Sequence, residues 1–282
     1  MSRPIEKRSV VVGQGVRLNV LEAGAGSKTL VLIPGWSQTA EQFRFQLEGL
    51  SDRYRVIAID MRGHGASDKP THGYRIQRLA ADVDEALAKL GLQDVTILGH
   101  SMGCSVLWCH FDLYGSGRIA RYVFCDQMPF ITTDPAWGEK ERADYGSILD
   151  PATVSAVCNA LIGSDAKATT ESFLRTMVTP GMPAEQFRWV FDLNLEMPRE
   201  AAARLLYNHC HQDWRDVLPR IDKPSLFIGG KVSNVPHSSM AWNASQVKGA
   251  RLEIFEEAEQ GSHFMFIENP AKFNRLLADF AG

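Results

Sequence analysis

Six short apolar runs punctuate the chain: Thr29 to Ile33, Arg55 to Ile59, Val95 to Leu98, Tyr122 to Cys125, Ser225 to Ile228 and Leu252 to Phe255. Each is rich in Val, Ile, Leu or Phe, the signature of strands covered on both faces. Between several of them the period changes from two to nearly four. Ile76, Leu79, Ala80, Val83, Ala86, Leu87 and Leu90 recur at three- and four-residue steps, and Gly91 follows as a stop. Asn269 and Pro270 open a last helix, as cap and first-turn residue, whose buried stripe is Phe273, Leu276, Leu277 and Phe280. Strands alternating with helices predict an α/β fold around a mainly parallel, twisted sheet with right-handed crossovers. Ahead of them, Ser9 to Glu22 alternates around Gly13-Gln14-Gly15, the pattern of a hairpin.

The rhythm breaks once. From about Gln127 to Asp222 no strand-like run occurs, and Trp137, Phe173, Phe187, Trp189, Phe191 and Trp214 are scattered through segments of helical character. A helical insertion of roughly 90 residues between two core strands accounts for a chain of 282 residues, longer than one ordinary domain. The expected division is a core of residues 1–127 and 222–282 with a helical cap at 128–221, inserted after the sixth strand.

Charge and cysteine usage narrow the setting. Thirty basic and 33 acidic residues leave a net charge of −3, so there is no global basic field to draw in nucleic acid or anionic lipid. Met1 to Val10 carries Arg3, Glu6, Lys7 and Arg8 before any apolar run, unlike a signal peptide. The longest stretch without Asp, Glu, Lys or Arg, Val95 to Phe111, falls short of a membrane span and contains Gly99, His100, Ser101 and Gly103. Five cysteines, an odd number without C-x-x-C spacing, read as buried thiols in a reducing compartment, with the cytoplasm as the expected location. Nothing predicts a metal, nucleotide or flavin: Gly13-Gln14-Gly15 and Gly24-Ala25-Gly26 lack the strand-turn-helix context of a dinucleotide site. The expected partner is a small-molecule substrate, with no nucleic acid and no membrane, and no cofactor is called.

Chemistry enters at Val95 to Gly103, V-T-I-L-G-H-S-M-G, where an apolar strand runs into G-x-S-x-G and then an uncharged helix. Small residues are needed at Gly99 and Gly103 because a serine on a strained strand-to-helix turn lies close to neighbouring backbone. Such a turn lifts Ser101 Oγ above the sheet and aims the Met102 N–H at the reaction centre. Two further motifs follow the same order as in a known family. Asp60-Met61-Arg62-Gly63-His64-Gly65-Ala66-Ser67 matches a D-x-R-G-x-G-x-S loop, and Gly261-Ser262-His263 leads into Glu268-Asn269-Pro270. Over nearly its whole length the chain resembles the α/β-hydrolase superfamily, specifically its serine esterase and lactonase-like branch.

That resemblance implies Ser101 as nucleophile and His263 as its base, since a serine hydroxyl is weak until a neighbour takes its proton. His64 reads as scaffold. His209 and His211 lie in the insertion, with a pocket role weighed against surface or packing. The family usually places its triad acid after the seventh strand, but Gly229 to Pro236 here holds no carboxylate. Asp126, at the end of the sixth strand, is the expected acid, an arrangement resembling some dehalogenases, lactonases and cofactor-independent quinolone dioxygenases. Glu256, Glu257 and Glu259 are the alternatives. The amides of Met102 and Trp36 are the expected oxyanion donors, and His100, Ser37, Gln38 and Trp189 are candidate substrate contacts.

The reading is a serine hydrolase cleaving a carboxylic ester or lactone of a small, largely apolar or aromatic substrate through an acyl-enzyme. Three alternatives stand beside it: a C–C bond hydrolase, a cofactor-independent ring-cleaving dioxygenase, and a non-enzymatic receptor on the same scaffold. The P-G-W loop and the acid after the sixth strand resemble the dioxygenases, whereas G-H-S-M-G lacks the histidine-rich elbow expected of them. Halide and epoxide chemistry in the family uses Asp at the elbow, where this chain has Ser101.

Overall fold

The computed structural model describes residues 4–282, so the N-terminal reading rests partly on residues, Arg3 among them, that lie outside the described ones. Among the described residues eight strands form one sheet: β1 (Glu6–Val12), β2 (Val16–Ala23), β3 (Thr29–Ile33), β4 (Arg55–Ile59), β5 (Val95–His100), β6 (Ile119–Cys125), β7 (Ser225–Gly230) and β8 (Arg251–Phe255). Their order is β1-β2-β4-β3-β5-β6-β7-β8. The hairpin β1–β2 pairs antiparallel from Val12 with Val16 outward, β2 also runs antiparallel to β4, and every other neighbouring pair is parallel.

Helices cover both faces. On one side α1 (Arg44–Leu50) contributes Leu47 and Leu50 to the core. On the other, α2 (Ile76–Lys89) buries the stripe read from its period from Ile76 to Leu87, with Leu90 half-buried at its C-cap, and α3 (Met102–Tyr114) is buried through Phe111. The segment between β6 and β7 is helical: α4 (Glu139–Tyr145), α5 (Pro151–Ala160), α6 (Ala166–Arg175), α7 (Ala184–Asn194) and α8 (Arg199–Cys210). It joins both core layers, with Val154 and Leu205 in one and Leu174 and Phe191 in the other. The chain closes with α9 (His237–Gln246), α10 (Met265–Glu268) and α11 (Pro270–Ala281); Asn269 caps α11 by accepting from Lys272 N. Among the described residues no helix is long and apolar enough to cross a membrane.

One strand departs from the sequence expectation. The run Leu252 to Phe255 was expected to be covered on both faces, yet Leu252 is exposed. β8 is an edge strand with β7 as its single neighbour, so its outer residues lack the cover given to β5, which is buried throughout.

The loop Asp60 to Ser67 is a structural brace. Asp60 accepts from Ala40 N, Asn19 Nδ2 and Ala66 N, and Arg62 is paired to Asp82 at 2.7 Å with neither side chain exposed. A buried charge is tolerated only when paired in this way.

The strand order reverses about β3: the chain moves from β3 to β4 on one side, then crosses to β5 on the other. In an open parallel sheet, such a switch leaves a crevice beyond the C-terminal strand ends.

Candidate active site

The residues that end the parallel strands meet at that crevice. Pro34, Gly35 and Trp36 follow β3, Ser101 follows β5, Asp126 follows β6, Ser233 lies just past β7, and His263 comes after β8. Ser101 turns the chain at φ 53°, ψ −127° and is held there by its N–H donating to Cys125 O at 2.8 Å. The two glycines flanking the turn are forced by space. A Cβ on Gly99 would lie 2.5 Å from the Gly103 carbonyl carbon, and one on Gly103 would lie 2.4 Å from Ile33 O. Both obstacles are backbone and cannot swing aside.

His263 is fixed on three sides. Its Nδ1 faces Asp126 Oδ2 at 2.6 Å, its N–H donates to Met177 O at 3.1 Å, and its carbonyl lies 2.8 Å from His100 Nε2. Asp126 Oδ2 also accepts from Ser233 Oγ at 2.5 Å, while Oδ1 is buried and without a partner among the described residues. The loop after β7 therefore supplies a hydroxyl to the carboxylate rather than a carboxylate of its own. Glu256 and Glu257 are exposed, and the half-buried Glu259 instead pairs with Lys272 at 2.7 Å. His263 Nε2 is buried without a hydrogen bond, and none joins it to Ser101 Oγ, although both residues line one cavity. Such bonds are often long before substrate binds.

His100 is buried completely and does not line the cavity, which corrects its candidacy as a substrate contact. Burial pushes its imidazole well below the ordinary histidine range, and the neighbouring His263 adds to the shift, so the ring is neutral. Because the His263 carbonyl only accepts, Nε2 must carry the proton and Nδ1 must accept. The Gln38 carboxamide, 3.0 Å from Nδ1, therefore turns its NH₂ toward the ring, a half-turn that exchanges its O and N. His100 thus ties a cavity residue, Gln38, to the backbone of His263.

Ser37 and Trp189 require the same correction. Ser37 is buried outside the cavity, donating to Asn194 O at 2.8 Å and accepting from Arg199 Nη2 at 2.7 Å. Trp189 packs edge-on against Phe45, with Arg44 over its ring, on an outer groove. Helix α7 buries Phe187, Val190, Phe191 and Asn194, and Trp189 falls off that stripe.

Trp36 does line the cavity, with its indole N–H donating to Ala202 O at 2.8 Å. The backbone amides of Trp36 and Met102 have no hydrogen-bond acceptor among the described residues. Those amides are free to serve an anion. The remaining lining, about 650 Å³ including the mouth, is mostly apolar and includes Met128, Ile131, Phe173, Leu174, Met177, Leu206 and Val235. Gln38, Gln127, Asn194, His209 and Asn234 add neutral polar groups, and among the described residues no Asp, Glu, Lys or Arg lines it. Of the two histidines read in the insertion, His209 reaches the cavity and His211 bonds Tyr207 O near the surface. Asn194 was missed, although its signal was present: it is a polar residue seven positions along from Phe187 on an otherwise apolar stripe.

All five cysteines are buried and unpaired, and burial raises the Cys104 thiol well above its ordinary range, leaving it un-ionised beside the elbow. No cluster of three or more His, Cys, Asp or Glu among the described residues is placed to hold a metal ion.

A family model described as the α/β hydrolase fold matches residues 28–148. Epoxide hydrolase A of Mycobacterium tuberculosis is 38% identical over an alignment of 320 positions, covering 99% of this chain and 98% of its own. A putative non-heme chloroperoxidase of Synechocystis is 29% identical, covering 92% of each chain. Among solved structures, an esterase from Exiguobacterium antarcticum superposes with a TM-score of 0.89 at 24% identity, covering 98% of this chain and 99% of its own. With a relative of such identity aligned from end to end, and the same sheet beneath the elbow, the chain belongs to the α/β-hydrolase fold family.

Proposed function

We propose that the protein is a serine hydrolase of carboxylic esters or lactones whose substrates are neutral and largely apolar. The observation that carries this reading is the sharing of one uncharged cavity by Ser101 and His263, with Asp126 at 2.6 Å from His263 Nδ1. In this reading Ser101 Oγ attacks the carbonyl carbon as His263 Nε2 takes its proton, and the Met102 and Trp36 amides bind the developing oxyanion. The imidazolium, steadied by Asp126, returns the proton to the departing alkoxide and leaves an acyl-enzyme. Water then attacks the acyl group with the same base, releasing the acid and restoring Ser101. The helices of residues 128–221 serve as the cap that sets which acyl and alcohol groups fit.

The relatives named above include an epoxide hydrolase, and the residue at the elbow carries the distinction from that chemistry. Opening an epoxide through a covalent ester needs a carboxylate nucleophile at that position, and here it is Ser101. The test combines covalent labelling by a fluorophosphonate probe with turnover of an ester and lactone panel of graded acyl size. Wild type is expected to label and turn over, and Ser101→Ala and His263→Ala to do neither. Full turnover in Ser101→Ala, or an intact wild-type fold that neither labels nor cleaves, would sink the reading.

A further inference from the structure

Two polar side chains of the cavity stand out because their hydrogen-bonding atoms are not served by the protein. Asn194, at the end of α7, is fully buried and lines the cavity, yet both Oδ1 and Nδ2 lack partners among the described residues. Its own backbone is held rigidly, the carbonyl accepting from Ser37 Oγ at 2.8 Å and from Arg199 Nη2 at 2.7 Å. His209, near the end of α8, is 4% exposed, lines the same cavity, and has Nδ1 buried without a partner. Burial takes its imidazole down to about 3, so it is neutral at physiological pH, with one N–H donor and one acceptor. Both residues occupy positions on buried helical stripes that apolar side chains would fill at lower cost: Asn194 follows Phe187, Val190 and Phe191, and His209 follows Ala202, Leu205 and Leu206. A buried polar group is ordinarily paired, and these atoms, covered and unpaired at the wall of the cavity, are placed to turn to a ligand that enters it.

We infer that Asn194 and His209 form a polar subsite that recognises an uncharged carboxamide carried by an otherwise apolar ester or lactone. This rests on the ester-hydrolase reading for the chemistry and extends it to the substrate. The lining has no charged side chain, so a carboxylate or ammonium group would be desolvated without a counter-charge. Asn194 offers an acceptor and a donor on separate atoms, and a single hydroxyl oxygen would serve them one at a time. A secondary amide brings a donor and an acceptor on separate atoms of its own. Because the N–H and C=O of a trans amide point to opposite sides, its N–H is met by Asn194 Oδ1 and its C=O by the His209 ring N–H.

Two matched pairs of probes test this. p-Nitrophenyl 4-acetamidobutanoate and p-nitrophenyl heptanoate are alike in length and differ in the amide, and the ratio of their kcat/KM values is compared between wild type and Asn194→Leu. The ratio is expected to fall by about 10-fold in the variant, the size of one lost neutral hydrogen bond. N-Butylacetamide and 2-heptanone have no ester to cleave, and their dissociation constants read the same subsite without turnover; wild type should prefer the amide and Asn194→Leu should not. If no ester is cleaved but this binding preference exists and is lost in the variant, the subsite stands and the ester-hydrolase reading falls. If the esters are cleaved and neither pair shows an amide preference that depends on Asn194, the subsite falls and the hydrolase reading stands. Should Asn194→Leu fail to fold, His209→Leu is read with the ester pair, whose ratio should fall likewise because only the amide ester offers a C=O to the ring N–H, and a wild type that binds 2-heptanone as tightly as N-butylacetamide overturns the inference by itself.

Discussion

Ser37, Ser101 and Asp126 all hold φ between 53° and 60°, a region that non-glycine residues avoid. Each such residue costs on the order of 1–3 kcal/mol and persists only where its surroundings over-determine it. Here the sheet does so: Ser101 N donates to Cys125 O and Asp126 N to Ile228 O, each at 2.8 Å, which fixes both turns to neighbouring strand ends. Asp126→Asn keeps the shape and the tolerance for positive φ but replaces an acceptor by a donor opposite His263 Nδ1. The expected result is a fall in kcat of roughly 10³-fold or more with little loss of stability, measured by steady-state kinetics and denaturant unfolding. Ser233→Ala removes one of the two hydrogen bonds to Asp126 Oδ2 and should cost about 10-fold in kcat/KM. Glu257→Gln, on an exposed side chain, should leave turnover as it is; the opposite ranking of Asp126→Asn and Glu257→Gln would return the acid to the loop before His263. The Asp126 position could be read from the sequence because a strand end is a legible place. The help from Ser233 could not, since a hydroxyl in a loop carries no periodic or spacing signal.

At the scale of the element, strands and elbow were legible because covered strands and glycine-flanked turns leave compositional marks, although the edge strand β8 carries the same mark without the cover. The insertion was legible only as helix. Which of its faces meets the cavity depends on how α7 and α8 seat against the loop after β3, and that is settled by tertiary bonds between distant residues. Trp36 Nε1 reaches Ala202 O, Ser37 Oγ reaches Asn194 O, and the Arg199 guanidinium reaches Ser37 Oγ, Asn194 O and Met197 O. Hence aromatic character alone misplaced Trp189, whereas the stripe through Phe187, Val190 and Phe191 pointed to Asn194. Burial lowers Arg199 to about 10, which still leaves it charged at neutral pH and dependent on these acceptors. Arg199→Met is therefore expected to lower unfolding free energy by about 2 kcal/mol, from lost charge-assisted hydrogen bonds. It should also lower kcat/KM, because the loop that carries the Trp36 amide loses one of its three ties to the insertion. Denaturant unfolding and turnover of the same preparation check the two together: a stability loss with unchanged kcat/KM would mean the tie has no bearing on the site.

For the molecule as a whole, burial of histidines on both sides of the site sets the response to acid. His64, in the Asp60 to Ser67 brace, is lowered to about 4, and His209, in the cavity, to about 3, each chiefly by burial. Unfolded, both titrate near 6.5. Between pH 6.5 and those lowered values the unfolded chain binds protons that the folded one refuses, so stability falls as pH falls through that window. At pH 5 the difference is 1.5 pH units below the unfolded value, about 2 kcal/mol for each histidine, a sizeable part of the roughly 5–15 kcal/mol a folded chain commands. Comparison with a His209 variant isolates that residue's share between pH 7 and 5, because the other shifted groups are common to both proteins. Among them are His100 and His110, lowered by burial, and Asp60 and Glu196, raised by it. Carboxylates lowered by ion pairs, such as Glu22, begin to release their stabilisation only on further acidification. His209→Gln, which keeps a neutral hydrogen-bonding side chain but cannot take up a proton, should therefore lose about 2 kcal/mol less than wild type between pH 7 and pH 5. Urea unfolding of both proteins at the two pH values measures it. Equal losses would mean that His209 is protonated in the folded chain at pH 5, and the cavity would then hold a cation where the carboxamide subsite requires a neutral ring.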